Sequence, residues 1–151
     1  MNKTIVGKQL SELEGLIGEW RTEIRLPGKP SVPGRSSFEW GAGRTFLLWR
    51  STVEHRDFPD SISVIGAMGS KVELEMHYYD TRGVHRVVDM TFAAGVWTLS
   101  RKGGPGDFDQ RFAGTVSSNG RTIAGAWEKS DKPGSGLKHD FDVTYTRINP
   151  P

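Results

Sequence analysis

Two arginines and one histidine are the residues of this chain whose placement most directly suggests chemistry. In the alternating segments that contain them, Arg50, Arg86 and His139 fall on the same side as apolar residues, as does Gln110. A charged side chain inside a protein is unfavourable unless it is paired, wetted or bound to an anion. We therefore expect the two arginines to meet water, a buried carboxylate or an anionic group of a ligand. A slip of one residue in register would turn either arginine outward instead.

The apolar side chains that share this face are large and adaptable. Alternation assigns to it a set of aromatic residues and methionines: Phe38, Trp40, Met76, Tyr78, Met90, Phe112, Trp127, Phe141 and Tyr145. Bulky rings with flexible methionines are typical of a cavity that binds an apolar small molecule. The alternative is that the same side chains fill the interior completely.

Catalytic and metal-binding patterns are weaker in this sequence. The chain has no cysteine, so thiolate nucleophiles and thiolate metal sites are excluded. His77 and His85 flank one turn but lack a third ligand, so we expect no metal site. If the interior supports a reaction such as cyclisation or isomerisation, Tyr78, Asp89 or His139 is the expected acid or base.

Length and charge narrow the class of protein. A chain of 151 residues is typical of one domain, so we expect residues 1–151 to fold as a single unit. Its formal charge is +2, and basic residues alternate with acidic ones, as in Arg21-Thr22-Glu23, so no nucleic-acid partner is expected. No apolar run approaches the roughly 20 residues of a membrane helix, and the N-terminus lacks a signal-peptide pattern. We expect a cytoplasmic protein without a membrane span.

The elements that must position these side chains are short strands. Apolar residues at helical spacing, from Leu10 to Ile17, predict one short helix, and from Gly18 onward the period changes to two. Nineteen glycines and eight prolines separate about ten such segments. Sequential short strands form either a sandwich or a barrel, and the lack of a long crossover favours the barrel. The predicted fold is all-β: a single antiparallel up-and-down barrel with a short N-terminal helix.

The start of the first strand resembles a known signature. Gly18-Glu19-Trp20 after a short helix is similar to the Gly-x-Trp of the lipocalins and the wider calycin superfamily. Segments such as Phe38-Glu39-Trp40 and Gly125-Ala126-Trp127-Glu128 further resemble a bacterial lipocalin-like family without an assigned activity. The resemblance implies that Trp20 packs under Arg147 of the last strand and closes the barrel. An indole stacked on a guanidinium explains such a pairing physically.

Two distant relatives suggest different ligands. Fatty-acid-binding proteins hold a carboxylate with an Arg-x-Tyr pair on the last strand, whereas here Tyr145-Thr146-Arg147 has the reverse order. Nitrobindin-like barrels bind haem through a histidine near the C-terminus, and His139 is the candidate axial ligand in this chain.

Three functions are therefore expected from the sequence. The first is a carrier or sensor for an apolar small molecule, whose acidic head group meets Arg50 or Arg86. The second is a small cofactor-free enzyme, a cyclase or isomerase, that uses the same cavity, and the third is a haem-binding barrel. Leu47, Trp49 and Trp97 fall on apparently outward positions, so they mark a candidate homodimer surface.

Overall fold

Ten antiparallel strands close into one barrel in the computed structural model, which describes residues 10–68 and 73–148. The strands are β1 (Gly18–Arg25), β2 (Val32–Trp40), β3 (Phe46–Val53), β4 (Ser61–Ala67), β5 (Leu74–Asp80), β6 (His85–Ala93), β7 (Val96–Arg101), β8 (Gln110–Val116), β9 (Thr122–Lys129) and β10 (Lys138–Arg147). Each strand pairs with its neighbours in sequence, and β1 also pairs with β10. The predicted up-and-down barrel is confirmed.

In the described residues helical structure is short: residues 10–12 are α-helical and run into the first of two 3-10 helices. One 3-10 helix, Leu13–Gly15, precedes β1, and another, Ala42–Arg44, lies between β2 and β3. Leu13 and Leu16 are completely buried, as expected for a turn that plugs one end of a barrel. Within the described ranges, no helix has both the length and the apolarity needed to cross a membrane.

The plugged end is held by Arg147, which lies over Trp20. The guanidinium carbon is 4.1 Å from the Trp20 ring centroid, and the two residues are paired across β1 and β10. Arg147 donates hydrogen bonds to three backbone carbonyls, those of Gly15 (2.8 Å), Ile17 (2.6 Å) and Gly120 (3.3 Å). Trp20 in turn donates from Nε1 to the carbonyl of Leu16 at 2.9 Å. These bonds tie the entering chain, β10 and a hairpin together.

Gly18 has a specific reason to be glycine at this end. Its φ of +125° is a backbone conformation that L side chains rarely adopt, and a Cβ there would lie 2.8 Å from Nη1 of Arg147. The glycine therefore allows the guanidinium to approach the backbone. Gly18, Trp20 and Arg147 lie together at the closed end, where the resemblance placed them.

Longer connections gather at the opposite end, which we call the open end. It carries the segments 26–31, 54–60, 81–84, 102–109 and 130–137, which join β1 to β2, β3 to β4, β5 to β6, β7 to β8 and β9 to β10. Loops at one end of a rigid barrel are the usual place for a binding site. The cavity described below lies toward this end.

Strand β3 faces the other way from the sequence-based prediction. Leu47 is completely buried and Trp49 stacks on Phe38 with 5.1 Å between ring centroids, whereas Arg50 is exposed and pairs with Glu39 on the outer surface. Both faces of this strand carry large apolar residues, so alternation alone does not show which face points into the barrel. The pairing of Trp49 with Phe38 decides it, since direct cross-strand partners share a face. The prediction that Arg50 faces the interior is wrong.

Strand β7 is reversed in the same way, and with it the expected dimer surface. Trp97 and Leu47 have no exposed area, and Trp97 packs against Phe38, Trp49 and Phe112 inside the barrel. The prediction that Leu47, Trp49 and Trp97 form an outer contact surface is therefore wrong. Val96 and Trp97 are adjacent apolar residues that face opposite sides of β7, with Val96 exposed and Trp97 buried, so alternation did not distinguish the inner face.

His139 lies outside the barrel because of a β-bulge. It is opposite Glu128, while Phe141 is opposite Trp127, so Asp140 is an extra residue that shifts the register of β10. A bulge of this kind reverses the alternation on its two sides. Phe141 therefore faces inward, but His139 is exposed and its Nε2 lies 2.9 Å from Oδ1 of Asp142. The prediction that His139 points inward is wrong.

Candidate functional site

A cavity of about 320 Å³ occupies the part of the barrel toward the open end. Its wall combines side chains from strands on all sides with Phe58 of the 54–60 loop and Phe108 of the 102–109 loop. This volume lies at the small end of the range for ligand pockets. Three parts of the wall, described in turn, differ in chemistry.

Three serines form a row on one side of the cavity. Ser36 on β2 is directly opposite Ser51 on β3, which is directly opposite Ser61 on β4, and all three line the cavity. Their small side chains leave the space that the cavity occupies. Ser36 accepts a hydrogen bond from Nε1 of Trp49 at 3.1 Å. This row was not predicted from the sequence, because alternation had placed the opposite face of β3 inside.

The opposite wall is aromatic. Trp127 on β9 is directly opposite Phe141 on β10, and their ring centroids are 6.4 Å apart. Phe58, from the 54–60 loop, packs edge-on against Phe141 at 6.1 Å and covers the cavity from above. Asp57 beside it is a largely exposed residue of the rim, close to His55 and Arg56. This wall offers flat apolar surface to a ligand.

Arg86 on β6 brings positive charge into the cavity wall. Its Nη1 donates to Oε1 of Gln110 at 3.0 Å, and its guanidinium carbon lies 5.3 Å from the Phe108 ring centroid. Among the described residues, no carboxylate lies within 4 Å of this guanidinium. Partial burial, followed by the nearby charge of Arg101, lowers the pKa of Arg86. A guanidinium remains charged in proteins even so. Within the described residues Arg86 hydrogen-bonds to the neutral Gln110, while the Asp107 carboxylate, which pairs directly with Arg101, acts on Arg86 at longer range and partly offsets the lowering of its pKa.

Arg101 on β7 lies beside Arg86 and differs from it in being paired. Its Nη1 lies 2.8 Å from Oδ2 of Asp107, its Nε donates to Gln110 at 2.8 Å, and it also contacts the Phe108 ring. The hydrogen bonds from Arg101, supported by the backbone N–H of Phe108, lower the pKa of Asp107 to about 2. Arg101 was missed in the sequence, although it shares the alternation of Trp97 and Leu99. An inward Trp97 implies an inward Arg101, because the two residues lie on the same face of β7.

A second ion pair, between Asp80 and Arg82, lies where β5 ends, next to the Tyr78 hydroxyl. The Asp80 carboxylate is shielded from solvent and accepts hydrogen bonds from the Tyr78 hydroxyl and the Arg82 guanidinium, both at 2.7 Å. Burial raises the pKa of Asp80, but these bonds and the backbone N–H groups of Arg82 and Val84 outweigh it, so the net pKa is well below its usual range. Burial and Asp80 raise the pKa of Tyr78 to about 12.

Tyr145 lies at the floor of the cavity. It is 5% exposed, pairs across strands with Thr22 and packs its ring against Trp20 and Trp97. Its hydroxyl makes no hydrogen bond to any residue in the described ranges, and burial raises its pKa. Close by, Nε1 of Trp97 is fully enclosed and also lacks a partner in the described part of the chain.

Half of the predicted ligand-binding residues come together at this cavity. Met76, Tyr78, Arg86, Trp127, Phe141 and Tyr145 line it. Phe38, Met90 and Phe112 are buried in the core without lining it. Trp40 is only partly buried, donates to Glu14 at 3.3 Å and lies under Arg44, outside the cavity. Arg50 and His139 are on the outer surface, as described above.

The expected acid and base groups are mostly not in position. Asp89 is exposed on the outer face of β6 and His139 is outside the barrel, so Tyr78 is the one candidate of the three that lines the cavity. With a pKa of about 12 it holds its proton at neutral pH and donates to Asp80. It is therefore suited to positioning a ligand rather than to removing a proton.

The residues at the cavity do not fit a haem bound through histidine. No histidine lines the described cavity, and the proposed ligand His139 is hydrogen-bonded to Asp142 on the outer surface. Likewise, in residues 10–68 and 73–148 no three histidine, aspartate or glutamate side chains are grouped so that they could hold a metal ion. His77 and His85 stack with ring centroids 5.7 Å apart on the exterior.

Comparison with known proteins adds no relative to this description. No protein-family profile matches the chain, and no curated protein matches it either. The site must therefore be interpreted from its own chemistry.

Proposed function

We propose that this barrel binds a small, largely apolar molecule with an acidic head group, as a carrier or sensor. We further propose that it is a lipocalin-like member of the calycin superfamily. Support for this kinship comes from Gly18, Trp20 and Arg147, whose packing at the closed end agrees with the Gly-x-Trp resemblance. Fold alone does not specify a ligand, so the proposal about binding depends on the cavity.

Arg86 is the observation that carries the proposal. Arg82, Arg86 and Asp57 are the charged residues that line the described cavity. Arg82 is paired with Asp80, and Asp57 lies against His55 and Arg56, so Arg86 is the lining cation without a carboxylate in direct contact. A partly buried cation that has no carboxylate in direct contact is incompletely compensated, and an anion that binds beside it is stabilised. A carboxylate suits it, since guanidinium and carboxylate groups match in shape and charge.

The apolar part of the ligand is accommodated by the rest of the wall. Trp127, Phe141 and Phe58 supply aromatic surface, and Met76 and Val88 supply aliphatic surface on the strands beside Arg86. Burial of apolar ligand area against such a wall provides most of the binding free energy, while Arg86 fixes the orientation.

Isothermal titration calorimetry with phenylbutyrate and its uncharged amide tests this function. We expect the wild-type protein to bind phenylbutyrate more tightly than the amide. Replacement Arg86→Gln should weaken phenylbutyrate binding by about tenfold to a hundredfold, because a charge-assisted hydrogen bond is lost. The matched control is Arg50→Gln, an exposed arginine on the outer surface, which should leave binding unchanged.

Two results would contradict the proposal. One is a wild-type protein that binds neither compound. The other is equal binding of the acid and the amide that Arg86→Gln does not alter, which would show that Arg86 does not receive an anion.

A further inference from the structure

The floor of the cavity contains hydroxyl groups that no described residue satisfies. Besides Tyr145, Thr22 is 4% exposed and lines the cavity, and its side chain makes no hydrogen bond within the described ranges. Ser51 and Ser61, which extend the serine row, are half-buried, and their side chains likewise make no hydrogen bond within the described ranges. The four residues line the cavity, and their hydroxyl oxygens are not among the fully enclosed atoms, so they are open to the cavity, where water or a ligand oxygen can hydrogen-bond to them.

The backbone near Thr22 is shaped to leave this polar floor open. Gly34 is directly opposite Thr22, and a Cβ at that position would lie 2.7 Å from Oγ1 of Thr22 and 2.5 Å from the carbonyl oxygen of Thr52. Glycine therefore keeps the Thr22 hydroxyl free of a side chain next to it. The polar floor thus results from the close approach of the β2 backbone at Gly34 to Thr22 and Thr52, together with the small serine side chains.

The polar floor and Arg86 lie at different depths of one cavity. Tyr145 pairs with Thr22, one inward-facing position above Trp20 of the closed end, whereas Arg86 is the second residue after the 81–84 turn at the open end. On β10 the cavity-lining residues Val143 and Phe141 follow Tyr145 toward the open end, and Trp127 is directly opposite Phe141. A ligand that satisfies the whole wall therefore has an acidic end, a flat apolar middle and a polar far end.

The cavity volume limits the size of that ligand. One water occupies about 30 Å³ of the liquid, so 320 Å³ corresponds to roughly ten waters, or to a molecule of about ten to fifteen non-hydrogen atoms. A long alkyl carboxylic acid is a poor match, because its apolar tail would leave the Tyr145 and Thr22 hydroxyls without partners. Sites built to hydrogen-bond a ligand reject analogues that lack the polar group.

We infer that the ligand class is a compact aromatic carboxylic acid with a hydroxyl or carbonyl oxygen at the end away from its carboxylate. Tyr145 is the specificity-determining residue that recognises this oxygen at the cavity floor. The inference rests on the proposed function, since it assumes that the acidic end is held at Arg86. It adds a second anchor, and with it a preference between acids of equal charge and similar size.

The test compares two probes that differ by one oxygen, phenylbutyrate and para-hydroxyphenylbutyrate, by isothermal titration calorimetry. We expect the wild-type protein to prefer the hydroxylated acid by about tenfold, the equivalent of one buried hydrogen bond. In Tyr145→Phe, which retains the ring contacts with Trp20 and Trp97, this preference should disappear while phenylbutyrate binding stays the same. The matched control is Tyr79→Phe, an exposed tyrosine on the outer face of β5, which should retain the preference.

The outcomes separate this inference from the function on which it rests. If both acids bind equally well and both depend on Arg86, the acid-binding function stands and the inference about the floor is wrong. It is also wrong if Tyr145→Phe keeps the full preference. If neither acid binds, the proposed function fails and this inference fails with it. Circular dichroism and urea unfolding of Tyr145→Phe check that the variant is folded.

Discussion

The two ends of this barrel each contain a partly buried arginine, but the two arginines are satisfied to different extents. At the closed end Arg147 stacks on Trp20 and donates to three backbone carbonyls. At the open end Arg86 contacts the Gln110 amide and the Phe108 ring, beside a second guanidinium, and among the described residues it has no direct ion pair, since Asp107 pairs with Arg101. The hydrogen bonds of Arg147 are made within the protein and stabilise the fold. Arg86 has N–H donors left that can bind a ligand. The comparison therefore separates a structural end from a binding end.

The largest expected effect is at Arg147. Replacement Arg147→Met removes the donors for the carbonyls of Gly15, Ile17 and Gly120, and it should lower the free energy of unfolding by about 3 kcal/mol. Urea unfolding followed by tryptophan fluorescence measures this. Arg121→Met, at an exposed arginine near Arg147, is the control and should change stability by less than about 0.5 kcal/mol. Similar stability of the two variants would show that the closed end does not depend on Arg147.

A smaller effect of opposite sign is expected at Arg86. Partial burial and the charge of Arg101 both disfavour this cation, so Arg86→Met should raise the free energy of unfolding by up to about 1 kcal/mol. The same urea experiment applies, with Arg50→Met as the control on the outer surface. A loss of stability as large as that of Arg147→Met would remove the distinction between the two ends.

The smallest expected effect is a difference in acid sensitivity. The pKa of Asp107 falls from its ordinary value of 3.8 to about 2 in the folded protein, so its contribution is complete above about pH 4 and is lost as the pH falls toward 2. Asp80 shifts in the same direction. The Arg147 bonds are to carbonyls, which do not titrate. Hydrogen-exchange protection factors should therefore fall first in the 102–109 loop and the 81–84 turn.

The variant Asp107→Asn sharpens this measurement. Because its amide does not titrate, the protection of the 102–109 loop should depend less on pH than in the wild-type protein. Loss of protection at β1 and β10 before the open end would contradict the distinction between the ends.

Where one face of a strand was clearly apolar, alternation correctly predicted which side chains point into the barrel. On β5 and β6 it correctly placed Met76, Tyr78 and Arg86 toward the interior. On β3 it was wrong, because Leu48 and Trp49 are both large and apolar and lie on opposite faces. The pairing with β2 then determined which of them is inside, and the sequence of β3 alone contains no information about that pairing.

The remaining misses also have identifiable causes. The bulge at Asp140 reversed His139 relative to Phe141, and no residue type near it marks a bulge. The inward orientations of Arg101 and of the serine row depend on those of Trp97 and Ser51, so the two reversed strands, β7 and β3, concealed several site residues. Errors of register are shared by a whole strand, since successive side chains alternate between two faces.

By itself, the sequence determined the architecture: ten short strands in meander order, a capping turn and a Gly-x-Trp entrance with a partner arginine. Those features are local, because they depend on period, turn residues and a pair of positions at the two ends of the sheet. Only the tertiary structure decided which arginine faces the cavity, that Asp80 and Asp107 neutralise its neighbours, and that hydroxyl groups are left unpaired at the floor. These properties depend on register and on contacts between strands distant in sequence.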